Sequence, residues 1–122
     1  MVDRPDMRAA LSGAVPELPV RSVVDAQTYY RDRLGFGVAW HHQEGRIGAV
    51  IRDACTLFFR ETSGEIAPAV LWVFAEDVDQ TYAGLCAPGA EIADPLADKP
   101  WGLRQFTIRD SHGHRIHFHH DL

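Results

Sequence analysis

The order of hydrophobic and polar positions along this chain occurs twice. An apolar strand is followed by an amphipathic helix and three short alternating strands, and the same order returns after a polar linker at residues 62–68. The motif Ile-Arg-Asp stands at 51–53 and again at 108–110, an offset of about 55 positions, with a strand soon after each copy. The pattern therefore predicts two copies of one βαβββ unit, and the seam between copies is a natural place for a pocket.

Start and stop signals place the two helices. Ser22 is a suitable N-cap for the first helix, and Gly35 suits its C-terminal end. Asp77 is the corresponding N-cap of the second helix, which residues 87–89 (Ala-Pro-Gly) should end. The apolar faces of the two helices are predicted to comprise Val23, Ala26, Tyr30 and Leu34 in the first, and Val78, Tyr82 and Leu85 in the second.

The strands predict an α+β fold of two βαβββ repeats. Pro16 and Pro19 cannot donate hydrogen bonds to a sheet, so the first strand should lie at an edge. The repeats are expected to form curved mixed sheets around a concave pocket, with the helices on the outer face. The predicted strands cover about 14–20, 36–42, 46–51, 55–61, 69–75, 90–93, 103–109 and 114–120. An N-terminal arm, 1–13, precedes a single domain, 14–122, made of modules 14–61 and 69–120.

Alternation within the strands predicts which side chains face the pocket. In the fourth strand Leu57 and Phe59 share one side, and Phe58 and Arg60 share the other. Apolar sides should pack beneath the helices, and mixed sides should line the concave surface. In the eighth strand the mixed side comprises Arg115, His117 and His119, and in the fifth a bulky aromatic side comprises Val70, Trp72 and Phe74.

Composition limits the function classes. The 122 residues carry a formal charge of −5, which argues against nucleic-acid binding and is compatible with a cationic small molecule. Without an apolar run of about 18 residues the sequence predicts no membrane span. No secretory signal is visible at the N-terminus, and Cys55 and Cys86 are too few for a disulfide framework. We expect a cytoplasmic protein in which both cysteines are small buried hydrophobes.

Three tryptophans are the strongest sign of a ligand. Trp101 stands in a loop between Pro100 and Gly102, where a ligand contact is favoured over a core role. Trp40 precedes a turn, and Trp72 is in the middle of a strand, where it suits either the core or a pocket wall. Flat aromatic walls favour planar or cationic ligands through stacking and cation–π contacts.

Five histidines crowd the last eleven residues. His117 and His119 are two positions apart on a strand and therefore share a face, which a metal site with a third ligand would require. An incidental or structural role and a polar contact in the pocket are the alternatives. Glu17, Glu61 and His117 could face the cavity, but nothing pairs them for acid–base work. With no phosphate loop, nucleophile elbow or HExxH motif, no catalytic residue is predicted.

Five short segments carry a recognisable combination of motifs. They are 15–21 (Val-Pro-x-Leu-Pro-Val-Arg), 29–36 (Tyr-Tyr-Arg-Asp-Arg-Leu-Gly-Phe), 52–58 (Arg-Asp-x-x-x-Leu-Phe), 100–102 (Pro-Trp-Gly) and 106–113 (Phe-x-x-Arg-Asp-x-x-Gly). Together they resemble the glyoxalase / bleomycin-resistance / dioxygenase superfamily, also called the vicinal oxygen chelate superfamily, and its bleomycin-resistance proteins above all. The resemblance runs from about residue 14 to 120.

The resemblance implies paired modules and usually a homodimer. Exchange of modules between protomers is common in that branch of the superfamily, and the 62–68 linker would permit it. Enzymes of the superfamily hold a divalent metal with one ligand from each of four strands. Those positions fall on Val15, Phe58, Val70 and His117, of which only His117 can bind a metal. A shift of the first strand would bring Glu17 to the first position.

The resemblance therefore favours non-catalytic binding that sequesters an aromatic or cationic antibiotic of the bleomycin type, with no cofactor and no metal. The alternative is a metal-dependent lyase, isomerase or dioxygenase, with His117 as a ligand. A third interpretation is a stress or regulatory binding module without a drug ligand. The predicted ligand-binding residues are Trp40, Phe58, Arg60, Trp72, Phe74, Trp101, Gln105 and His117.

Overall fold

Both predicted repeats are present, each as a four-stranded mixed sheet with one helix. The computed structural model of the protein describes residues 8–122. The first module contains β1 (Glu17–Val20), α1 (Val23–Leu34), β2 (Gly37–His42), β3 (Ile47–Arg52) and β4 (Cys55–Glu61). The second contains β5 (Val70–Phe74), α2 (Val78–Cys86), β6 (Glu91–Asp98), β7 (Leu103–Arg109) and β8 (Arg115–Asp121).

The two sheets have the same topology. Their strand orders are β1-β4-β3-β2 and β5-β8-β7-β6. β1 runs parallel to β4, and β5 runs parallel to β8, while the remaining pairs are antiparallel. The prediction that the proline-containing β1 lies at a sheet edge is confirmed. β5 occupies the equivalent edge, so in each sheet one of the two edge strands is a member of the parallel pair.

The helices begin and end where the sequence predicts. The Ser22 side chain accepts a hydrogen bond of 3.1 Å from the Asp25 backbone N–H, and Asp77 accepts one of 3.0 Å from Gln80. Gly35 ends α1 with a φ of 72°, a left-handed conformation that glycine adopts without a steric penalty. All four predicted apolar residues of α1 are buried.

Each helix packs on one face of its own sheet. Gly48 of β3 permits the close approach of α1, because a Cβ at this position would overlap the Val23 side chain. The core lies between the helices and the sheets of both modules. Its largest fully buried apolar side chains are Tyr30, Phe59, Phe106, Leu18, Leu34, Leu57, Leu85, Ile108 and Ile116.

A buried polar seam joins the two modules. The Tyr30 hydroxyl donates a hydrogen bond of 2.6 Å to the Asp110 carboxylate in the turn between β7 and β8. His114, which is fully buried, lies 2.8 Å through Nε2 from the Pro19 carbonyl, and its Nδ1 accepts from the Ala69 N–H at 2.9 Å. Because Nδ1 accepts, Nε2 carries the ring proton and donates it. This seam fixes the first module against the second.

Two local predictions were wrong. β6 extends to Asp98 rather than ending near residue 93, since it is an edge strand whose register irregularity between Asp94 and Ala97 accommodates Pro95. Cys86 is exposed rather than buried, because it lies on the solvent side of α2, and Cys55 is partly buried. Both thiols are free.

Candidate ligand-binding faces

The face of the second sheet that the helix does not cover is rich in exposed aromatic surface. We call it the second open face; it comprises Val70, Trp72, Phe74, Gln105, Thr107, His117 and His119. Trp72, in the middle of β5, is 53% exposed, and Phe74, at the end of the same strand, is 60% exposed. The Trp72 ring lies over the His117 imidazole, with centroids 4.2 Å apart and an interplanar angle of 32°. A planar ligand can therefore stack on the remaining face of the indole.

His117 is held in place by Thr107 on the neighbouring strand. The Thr107 hydroxyl lies 2.6 Å from Nδ1 of His117, and β7 and β8 place the two residues directly opposite each other. Burial, followed by the positive charge of Arg115, lowers the pKa of His117 below its usual value. The ring is therefore neutral near pH 7, and with Nδ1 engaged its Nε2 is left for a ligand.

Trp101 is oriented by a residue of the same face. Its indole N–H donates a hydrogen bond of 2.8 Å to the Gln105 side chain, while 61% of the Trp101 surface is exposed. Gln105 itself is buried and lies opposite His119 in the sheet. Nδ1 of His119 is buried and has no hydrogen-bond partner among residues 8–122. A buried nitrogen without a partner is costly and marks a place where a further polar group would be accepted.

The corresponding face of the first sheet has fewer aromatic residues. This first open face comprises Trp40, Phe58 and Arg60 with Glu17. Trp40 and Phe58 are in edge-to-face contact, with ring centroids 5.2 Å apart. Arg60 forms an exposed ion pair of 2.9 Å with Glu17, which reduces the net charge of the face. Trp40 lies inside β2, two residues before the strand ends, and 42% of its surface is exposed.

The predicted site residues thus form two groups, not one pocket. Trp40, Phe58 and Arg60 belong to the first sheet, and the other five belong to the second sheet and its adjoining loop. Within the described part of the chain no hydrogen bond, ion pair or ring contact joins a residue of one open face to a residue of the other. A cleft of about 880 Å³ does lie between the modules, but of the eight predicted residues only Trp72 and Phe74 line it.

Sequence reasoning missed Thr107 and Asp110, and it placed His119 on the pocket-facing side without including it among the ligand-binding residues. Thr107 and His119 complete the second open face, and Asp110 forms the buried seam although its position predicts an ordinary turn residue. Strand alternation placed His119 on the correct side but gave no sign that its ring nitrogen is buried. Only the pairing of β7 with β8 reveals Thr107 as the partner of His117.

The donor set does not fit a catalytic divalent metal. The strand register places Glu17, not Val15, opposite Phe58, and it places Trp72, not Val70, opposite His117. Neither Phe58 nor Trp72 offers a ligating atom, and Glu17 is engaged by Arg60. Among residues 8–122 no group of three or more His, Cys, Asp or Glu side chains is arranged to hold a metal ion.

The carboxylates near the faces also have structural partners. Glu61 accepts a hydrogen bond of 3.0 Å from the Val23 N–H at the start of α1. This backbone donor, followed by Arg46, holds the pKa of Glu61 below its usual value. Asp94 forms an ion pair of 2.8 Å with Lys99. The geometry therefore supports binding through stacking and hydrogen bonds.

In the described range, residues 8–122, no helix is long and apolar enough to cross a bilayer.

Comparison with known proteins places this arrangement in a family. The sequence model of the Glyoxalase/Bleomycin resistance protein/Dioxygenase superfamily matches residues 14–118. No curated protein sequence matches the chain. Among solved structures, TioX from Micromonospora sp. ML1 is 27% identical with a TM-score of 0.78, covering 91% of this chain and 100% of TioX.

Two bleomycin-binding proteins share the fold. One, complexed with bleomycin, has a TM-score of 0.80 at 19% identity and covers 92% of this chain and 100% of that protein. The other, from bleomycin-producing Streptomyces verticillus and complexed with copper(II)-bleomycin, has a TM-score of 0.73 at 24% identity and covers 90% and 96%. With the family match over residues 14–118, the chain belongs to the Glyoxalase/Bleomycin resistance protein/Dioxygenase superfamily.

Proposed function

We propose that this protein binds and sequesters a planar aromatic small molecule, an antibiotic of the bleomycin type, without a chemical step. The observation that carries the proposal is the exposed indole of Trp72 beside the neutral imidazole of His117. Exposed aromatic surface of this size is costly in water unless something covers it. The ring provides the stacking surface, and Nε2 of His117 provides one directed hydrogen bond.

A positively charged group on the ligand would be accommodated as well. Trp72, Trp101 and Trp40 offer exposed ring faces, which attract cations. The formal charge of −5 favours the approach of a cation over that of an anion. The two bleomycin-binding proteins with the same fold support the proposal at the level of the fold.

A second copy of the chain is proposed to complete the pocket. Each open face needs a layer opposite it to enclose a ligand, and the seam through Tyr30 and Asp110 holds the two modules of one chain together elsewhere. The edge strands β1 and β5 are free, and Val70 on β5 is 55% exposed. In a homodimer the first open face of one protomer would meet the second open face of its partner, with or without exchange of modules across the 62–68 linker. The free thiols suit a reducing cytoplasm.

Isothermal titration calorimetry and urea unfolding, each with metal-free and copper-loaded bleomycin, test the proposal. We expect saturable binding and an increase in unfolding free energy of about 2.7 kcal/mol at a hundredfold excess over Kd. Absence of both a binding heat and an increase in unfolding free energy, with either form of bleomycin, would eliminate bleomycin-type ligands. Elemental analysis of the chelator-treated protein is the companion measurement, because one tightly held divalent ion per chain would favour the metal-dependent enzyme instead.

A further inference from the structure

The cleft between the modules exists because the pseudo-symmetry of the fold is broken at one turn. The two N-caps, Ser22 and Asp77, are equivalent positions about 55 residues apart. On the same basis the β7–β8 turn, which packs against β1 and α1, is equivalent to the β3–β4 turn, which faces β5 and α2. At the β7–β8 turn the space between the modules is filled by the buried seam of Tyr30, Asp110 and His114. At the β3–β4 turn the corresponding space is the cleft.

The difference follows from the length and content of the two turns. Five residues, 110–114, separate the paired ends of β7 and β8, whereas only Asp53 and Ala54 separate those of β3 and β4. The longer turn inserts the fully buried His114 between the modules. Among residues 8–122 neither Asp53 nor Ala54 of the shorter turn forms a hydrogen bond to the second module, and a space of about 880 Å³ lies beside the turn. This volume is in the range of small-molecule pockets.

The cleft has an apolar floor and an acidic rim. The floor contains Phe36, Leu57 and Phe118 from the core, with Leu71 and Val73 of β5. The rim carries the carboxylates of Asp53, Glu76 and Asp77 against one guanidinium, Arg52.

Among residues 8–122 the negative charges at the rim are not balanced by positive ones. The Arg52 guanidinium already donates a hydrogen bond of 2.9 Å to the Leu34 carbonyl. Neither Asp53 nor Glu76 forms an ion pair with another residue in the range 8–122. We propose that this cleft is a second binding site, separate from the open faces except at Trp72 and Phe74, for a small cationic amphiphile. Its apolar part would cover the floor, and its positive group would lie between Asp53 and Glu76.

Cys55 provides a probe inside the cleft. It is partly buried, and burial raises the pKa of its thiol, so its alkylation at about pH 8 is slow enough to follow by mass spectrometry. The experiment uses the full chain with Cys86→Ser and N-ethylmaleimide as the alkylating reagent. Octyltrimethylammonium is the cationic ligand, and octyl sulfate is the anionic control with the same alkyl chain. Octyltrimethylammonium should slow the modification severalfold and saturably, whereas octyl sulfate at the same concentration should not.

Matched variants locate the effect. Asp53→Asn with Glu76→Gln should raise the half-saturating concentration about tenfold, the loss expected for two exposed charge contacts. Asparagine tolerates the φ of 52° at position 53, so the turn is preserved. Ala54→Trp, at an exposed position, should obstruct the cleft and abolish protection. Glu44→Gln, in the exposed β2–β3 turn, should change nothing.

Three outcomes would overturn the inference: equal protection by the cationic and anionic amphiphiles, no response to the acidic variants, or protection that depends only on protein concentration. The last result would mean that a second copy covers Cys55. Bleomycin affinity measured on the same variants separates this site from the proposed function. It should be unchanged by the Asp53 and Glu76 substitutions, and a failure of bleomycin binding leaves the amphiphile result standing.

Discussion

The hydroxyl of Thr107 lies 2.6 Å from Nδ1 of His117, across the β7–β8 pair, at the centre of the second open face. Thr107 is only 3% exposed and cannot itself offer much surface to a ligand. It fixes the orientation of the imidazole and occupies one of its two nitrogens. The remaining nitrogen is therefore presented in a defined direction beside Trp72.

Thr107→Val should weaken bleomycin binding about two- to tenfold, the equivalent of one hydrogen bond worth about 0.5–1.5 kcal/mol. The valine keeps the shape but leaves the His117 ring free to rotate. Thr107→Ser, which retains the hydroxyl, should bind nearly as the parent protein does. Nitrogen NMR of the His117 ring should report a changed tautomer ratio in the valine variant alone. An unaltered ratio would show that Thr107 does not position the imidazole.

Trp101→Ala should weaken binding by about 1–3 kcal/mol, with little loss of unfolding free energy, because the side chain is 61% exposed in a loop. Trp72→Ala should also weaken binding. Since Trp72 is 53% exposed, its removal should cost well below the roughly 3–5 kcal/mol of a core tryptophan. Calorimetry and urea unfolding of both variants check this. Full affinity in Trp101→Ala would remove that loop from the site.

Tyr30→Phe should lower the unfolding free energy by about 1–3 kcal/mol, since the buried Asp110 carboxylate loses a donor at 2.6 Å. Tyr29→Phe is the matched control on the preceding residue, because the Tyr29 hydroxyl has no hydrogen-bond partner in the described part of the chain. It should change the free energy little. Similar losses in both variants would mean that the seam between the modules contributes nothing particular to stability.

The protein should be a dimer at micromolar concentration, with an interface above about 1,000 Å². Val70→Lys on the free edge strand β5 should shift it towards monomer, because a charge would be buried at the interface. Val24→Lys, equally exposed but on α1, should leave the assembly intact. Multi-angle light scattering measures both. A monomeric parent protein would contradict the proposal that a second copy completes the pocket.

Acid should remove a specific contribution of Glu61 to stability. The Val23 N–H, with Arg46, holds the folded-state pKa of Glu61 below its usual value. The contribution is therefore complete above the unfolded-state pKa and is lost as the pH falls through the lower folded-state value. Glu61→Gln should be less stable than the parent at pH 7, and urea unfolding should show the difference shrinking as the pH falls through the folded-state pKa of Glu61. Glu65→Gln, which removes an exposed carboxylate in the linker, is the matched control and should be as stable as the parent protein at pH 7.

The sequence determined the order of the helices and strands, the helix ends and the sides of the strands. Ser22, Gly35 and Asp77 mark helix ends through local hydrogen bonds and backbone freedom, which depend on a few neighbouring residues. The alternation of Leu57 with Phe58 depends only on the twofold period of a strand. These local rules also predict the fold class. The helices and strands follow the same order in both halves of the chain, so each half buries its apolar sides in the same way.

The tertiary structure decided what lies opposite each side. Alternation places Trp72 on one side of β5 but cannot state whether another layer covers it, and in the chain it is half exposed. Asp110 is of a residue type common in turns. A hydrogen bond from Tyr30, eighty positions away, nevertheless makes it part of a buried seam. The separation of the predicted site into two open faces and the cleft beside Asp53 depend on how the modules pack. These features arise from contacts between distant segments, which no local period or cap encodes.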